Sequence, residues 1–123
     1  MARIRHIALL TKDTEKLAGF YCASFGLKEV ARSGEAGEHG RAIYLSDGHI
    51  NLAILPARNR REGIYHFGME VEDVKGAAQT ALAAGATGGT AELPKDGRTG
   101  TTFTSVMSSF LRTTWYWKNA RAA

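Results

Sequence analysis

An internal repeat constrains this chain more than any other feature. Ile4-Arg5-His6-Ile7-Ala8-Leu9-Leu10-Thr11-Lys12-Asp13-Thr14 stands near the N-terminus, and Ile64-Tyr65-His66-Phe67-Gly68-Met69-Glu70-Val71-Glu72-Asp73-Val74 stands past the middle. When the two are aligned, His6 meets His66 and Asp13 meets Asp73. Each copy is a short apolar strand with a histidine near its start. An Asp follows where helical periodicity begins, the place for an N-cap. A single module of this size has no second layer to cover its sheet, so the repeat predicts two packed copies sharing one core.

The rest of the pattern follows from this start. Residues 3–11 read as a strand with His6, Ala8 and Leu10 on one face and Ile7 and Leu9 on the other. Asp13 or Thr14 caps a helix whose apolar stripe is Leu17, Phe20, Tyr21, Ser24 and Phe25, closed by Gly26. Leu27 to Arg32 reads as a short strand, the Gly-rich Ser33 to Gly40 as a loop, and Arg41 to Leu45 as a strand. Ser46-Asp47-Gly48 makes a turn into a strand from His49 to Leu55. Residues 56–63, with Arg58, Arg60 and Arg61, form a solvated linker between module one (3–55) and module two (64–118). The second module repeats the order. Asp73 caps a helix carrying Val74, Ala77, Ala78, Ala81 and Leu82, which stops at Gly85. Strands are expected at Thr87 to Leu93, Thr101 to Met107 and Trp115 to Lys118, with a turn-rich Pro94 to Gly100 that reads as a flap or a polar turn.

Composition removes several classes of function. At 123 residues with 44% apolar side chains, the chain reads as one globular domain. No apolar run approaches the ~20 residues of a membrane span, and the start runs directly into a strand instead of a signal peptide. The lone Cys22 excludes an internal disulfide and points to a cytoplasmic protein. A net charge of +4 favours small anionic ligands, but the basic residues are scattered and no nucleic-acid motif is present.

With its tandem βαβββ order and the two His-strand-Asp-helix starts, the chain resembles the vicinal oxygen chelate superfamily, the glyoxalase, bleomycin-resistance and dioxygenase group. Phe20-Tyr21, Phe25-Gly26-Leu27 and Leu82-Ala83-Ala84-Gly85-Ala86 add to the likeness. The resemblance implies an α+β fold in which two tandem modules form an open, U-shaped mixed sheet. It also implies a homodimer, sometimes with exchanged modules, acting on a small-molecule substrate or ligand. The activity it suggests is that of a metal-dependent lyase, isomerase, transferase or dioxygenase. The alternative is a metal-free binding protein of the drug-resistance kind.

By the same resemblance, His6 and His66 occupy the positions of two metal ligands, for Mn, Fe, Ni or Zn. Taken alone, each histidine reads equally as a strand residue bonded to backbone. The family's carboxylate ligand comes from the last strand of a module. Here Gly48 to Leu55 contains no acid, and no Asp or Glu occurs after Asp96. Glu70, which shares strand parity with His66, and Tyr116 are the available substitutes. Two origins fit the altered tail: divergence into a metal-free binder, or a reading-frame change near codon 106. Tyr44, Asn51 and Tyr65 are candidate substrate-binding residues, although core or surface roles suit them too. Cys22 reads as a packed thiol, and His39 and His49 as solvated loop residues.

Overall fold

In a computed structural model the residues described are 3–86, 102–103 and 114–117. The elements are β1 (Arg3–Thr11), α1 (Thr14–Phe25), β2 (Lys28–Gly37), β3 (Gly40–Ser46), β4 (Asn51–Pro56), β5 (Gly63–Glu70), α2 (Val74–Ala83), β6 (Thr102–Phe103) and β7 (Thr114–Trp117). The architecture is α+β, with two helices and a mixed sheet. The first module shows the full βαβββ order. The strand expected at 87–93 and the turn at 94–100 lie outside the described residues.

The described residues form two compact units, one of residues 7–65 and one of residues 3–6 with the part of the chain from 66 onward. In the first, the hydrogen-bonding order is β2-β3-β4-β1; in the second it is β1-β5-β7-β6. The first residues of β1 thus group with the part of the chain that begins at His66.

The first unit is built on contact between α1 and the strands β3 and β4. Ala18, Ile43, Leu45 and Ile54 form its buried centre, and Leu9, Leu17, Tyr21, Cys22, Leu27 and Leu52 pack around it. Antiparallel pairing of β3 with β4 sets Ile43 opposite Ile54 and Leu45 opposite Leu52, so all four face the helix. The helix meets the sheet through Thr14, Ala18 and Cys22 together with Leu17 and Tyr21 of the predicted stripe. Phe20 and Phe25 are 53% and 67% exposed, where their rings stack edge-on. The Phe20 and Phe25 rings turn outward. Cys22 is part of this packing, as expected of a structural thiol.

Both ends of α1 are fixed as the sequence predicts. The Asp13 carboxylate accepts the N–H of Lys16 at 3.0 Å, and Gly26 takes a left-handed φ of 71° while donating to the Cys22 carbonyl. Asp73 holds the matching N-cap position of α2 without a side-chain cap bond. The second helix ends at Ala83, and Gly85 (φ 99°) follows.

One expectation needs correction. The Gly-rich stretch 33–40 is not a loop, since β2 runs through to Gly37 and pairs with β3. Register shifts between Glu29 and Ala31 and between Ser33 and Gly37 absorb the irregular backbone, as glycines in strands commonly do. In the 56–63 segment Arg58, Arg60 and Arg61 are exposed, as the solvated reading expects. Ala57 is fully buried and donates to the Thr11 carbonyl at 2.8 Å, and the Arg60 guanidinium lies over the Tyr65 ring at 4.6 Å. The predicted turn at Ser46-Asp47-Gly48 is present. The Asp47 carboxylate accepts the N–H groups of Ile50 and His49, which hold it below the usual carboxylate range. That contribution to stability is complete above the unfolded-state titration and is lost as pH falls through the lowered native one.

The tip of the β2–β3 hairpin docks on the start of α1. The His39 carbonyl accepts the Thr14 N–H at 3.1 Å, and Gly40, at φ 88°, leaves no room for a side chain. A Cβ there would sit 2.1 Å from the Thr14 hydroxyl oxygen, which is fully buried. Gly40→Ala is therefore expected to destabilise the protein by ~1–3 kcal/mol from backbone strain and this clash. Urea unfolding checks this, with Gly37→Ala, where a Cβ meets open space, as the reference.

Candidate metal centre

The two repeat histidines come together. Alternation along β1 buries His6, Ala8 and Leu10, and alternation along β5 buries His66 and Gly68. His6 and His66 are each 5% exposed, and their Nε2 atoms lie 3.0 Å apart. The rings are 5.0 Å apart between centroids, with planes inclined by 28°. The next residues on the same strand faces, Ala8 and Gly68, add little bulk.

The geometry can be tested against a metal directly. Two nitrogens each about 2.1 Å from one ion lie about 3.0 Å apart at a right angle and about 3.4 Å apart at the tetrahedral angle. The observed separation matches one edge of such a polyhedron, so the imidazole pair fits a divalent cation. It equally fits a hydrogen bond in which one Nε2 carries a hydrogen and the other accepts it.

Among the described residues no third His, Cys, Asp or Glu joins the pair into a metal-binding group. Glu70 is instead paired with Arg5, at 3.3 Å from the carboxylate to Nε, with both side chains about three-quarters buried. β7 takes the last-strand position of the second module, parallel to β5, and sets Tyr116 beside Met69 and Trp117 beside Glu70 in register. Residues 114–117 read Thr-Trp-Tyr-Trp, so this strand brings no acid.

The other candidates belong to the first unit. Tyr44 and Asn51 lie on the face of β3 and β4 opposite α1, as shown by their register partners Ala53 and Ser46. The Tyr44 hydroxyl is 3.1 Å from the Ser33 Oγ. Tyr65 precedes His66 on β5, so alternation turns it to the other strand face, beneath Arg60. His49 is exposed. His39 departs from the solvated reading, because its Nδ1 accepts the backbone N–H of Arg58 at 3.0 Å. Neither this bond nor the Arg5–Glu70 pair was visible in the sequence, since each joins residues far apart in the chain without a spacing signature.

The Arg5–Glu70 pair yields a direct expectation. A double-mutant cycle of Arg5→Met and Glu70→Gln, followed by urea unfolding, should give a coupling of ~0.2–1 kcal/mol that shrinks in high salt.

Comparison with known proteins follows the same lines. In overall structure the chain is similar to a hypothetical protein from Bacillus halodurans C-125, at 17% identity and a TM-score of 0.72, covering 99% of this chain and 97% of that one. It is also similar to the methylmalonyl-CoA epimerase of Streptomyces coelicolor in complex with 2-nitronate-propionyl-CoA, at 19% identity and a TM-score of 0.71, covering 96% and 97%. The Mycobacterium tuberculosis methylmalonyl-CoA epimerase aligns at 12% identity and a TM-score of 0.69, covering 95% and 87%. At such identities the likeness is one of fold. No curated protein matches the sequence. The model of one family matches residues 3–110. With the repeated His-bearing strands and the α+β fold, that match makes the chain a member of the Glyoxalase/Bleomycin resistance protein/Dioxygenase superfamily.

Proposed function

We propose that His6 and His66 hold a divalent metal ion, Mn, Fe, Ni or Zn, and that the protein is a metal-dependent lyase, isomerase or transferase acting on a small oxygenated substrate. The observation that carries this reading is the 3.0 Å separation of two buried Nε2 atoms at equivalent positions of the repeat. Bound there, the ion would act as a Lewis acid and stabilise negative charge developing on substrate oxygens. The protein's own part is to hold both rings, with each Nε2 free of hydrogen. Tyr44 and Asn51, on β3 and β4, are proposed as substrate-binding residues. Tyr65, beneath Arg60, is proposed as a third substrate-binding residue. The two modules, 3–55 and 64–118, are proposed to make one domain that pairs as a homodimer in the cytoplasm. Among the described residues no helix is long and apolar enough to cross a membrane.

A second reading is a metal-free protein that binds a small molecule. The mutual hydrogen bond of the two rings favours it, because two neutral imidazoles in this arrangement need no cation. The missing third ligand among the described residues points the same way.

Metal analysis of protein purified without chelator separates the two. The first reading expects about one equivalent of divalent metal in the wild type and less than ~0.1 in the His6→Ala/His66→Ala protein. A wild type without stoichiometric metal overturns it. In that case a rise in melting temperature with small oxygenated ligands, absent in Tyr44→Phe/Asn51→Ala, supports the binder.

A further inference from the structure

His39 stands where three elements meet. Its carbonyl accepts the Thr14 N–H at the start of α1, and its ring Nδ1 accepts the Arg58 N–H from the segment between β4 and β5. Arg58 holds φ at 56°, the left-handed region that side chains disfavour. The residues around it are tied separately. Ala57 donates to Thr11, and the Arg60 N–H donates to Ala57 at 2.9 Å. The His39 ring is thus the contact that joins the Arg58 amide to the hairpin tip.

This contact depends on protonation. Nδ1 accepts only with its lone pair free, which requires a neutral ring with its hydrogen on Nε2. A proton on Nδ1 turns the acceptor into a donor facing another donor, and the bond is lost. We propose that the His39–Arg58 bond is a pH-operated latch between the β2–β3 hairpin tip and the β4–β5 segment, closed with a neutral imidazole and open with an imidazolium. The surroundings reinforce the change. Glu35 and Glu38 on the hairpin and Arg58 on the segment are the charged residues lining the same cavity, of about 320 Å³. Gly40 from β3 and Pro56 from β4 complete its wall, and α1 brings the neutral Thr14 to His39. Once cationic, the ring is attracted by the two carboxylates of its own hairpin and repelled by the Arg58 guanidinium. Acidification therefore loosens one wall of the cavity from the other.

Amide hydrogen exchange of Arg58, read by NMR as a protection factor, tests the latch. Between about pH 8 and about pH 5, Arg58 protection in the wild type should fall by ~tenfold, the equivalent of one lost hydrogen bond. The midpoint should match the titration of the His39 ring, and amides in β3 and β4 should keep their protection. In His39→Asn the side-chain oxygen takes the place of Nδ1 and does not titrate, so Arg58 protection should stay high at both pH values. Protection of Arg58 that does not change with pH in the wild type overturns the proposal. So does a midpoint different from that of the His39 ring, or the same fall in His39→Asn. Should His39→Asn fail to fold, the comparison of midpoints in the wild type decides alone.

Discussion

Strand β1 is the constraint on which the other features depend. Its pleat sends alternate side chains to opposite faces, so the two faces serve two purposes. Leu9 turns to the core under α1, while His6, Ala8 and Leu10 take the opposite face. A strand with a partner on each side has its backbone groups satisfied and its side-chain directions fixed by the pleat. A histidine on such a strand is held in place by the sheet itself. The same holds for His66 on β5, with β1 and β7 as neighbours.

Burial of the two imidazoles sets the chemistry. A buried polar ring must find a partner, and each of these finds the other. In the metal-free arrangement the rings must differ, one donating from Nε2 and one accepting. With a cation both Nε2 atoms lose their hydrogens and the rings become equivalent. A single geometry therefore supports both a binding pair and a metal pair, and the choice rests on what else reaches the ion. Glu70 has the right parity and the wrong partner, because Arg5 holds it. The last-strand position of the second module is filled by Thr-Trp-Tyr-Trp, which brings no carboxylate.

The first unit shows how local signals yield to packing. Asp13 and Gly26 behave as the sequence predicts because capping is decided within one turn of backbone. The apolar stripe of α1 does so in part, with Leu17 and Tyr21 packed on the core and Phe20 and Phe25 exposed, because helical periodicity marks apolar positions without ranking them. Ala18 and Cys22 share the contact with the sheet, and Phe20 and Phe25 stay outside. Glycines at 34, 37 and 40 suggest a loop, yet pairing with β3 continues to Gly37 through register shifts. Composition reports what a backbone is free to do, and the partner strand determines what it does.

What the sequence alone determined is the repeat, two His-bearing strands and two Asp-led helices, and through it the resemblance that implies the fold. Those signals are short-range or periodic, and the chain states them twice. The tertiary structure decided where Glu70 goes, what holds His39 and how close the two rings come. Each of these depends on residues brought together from separate strands or loops, and no local spacing encodes such a meeting.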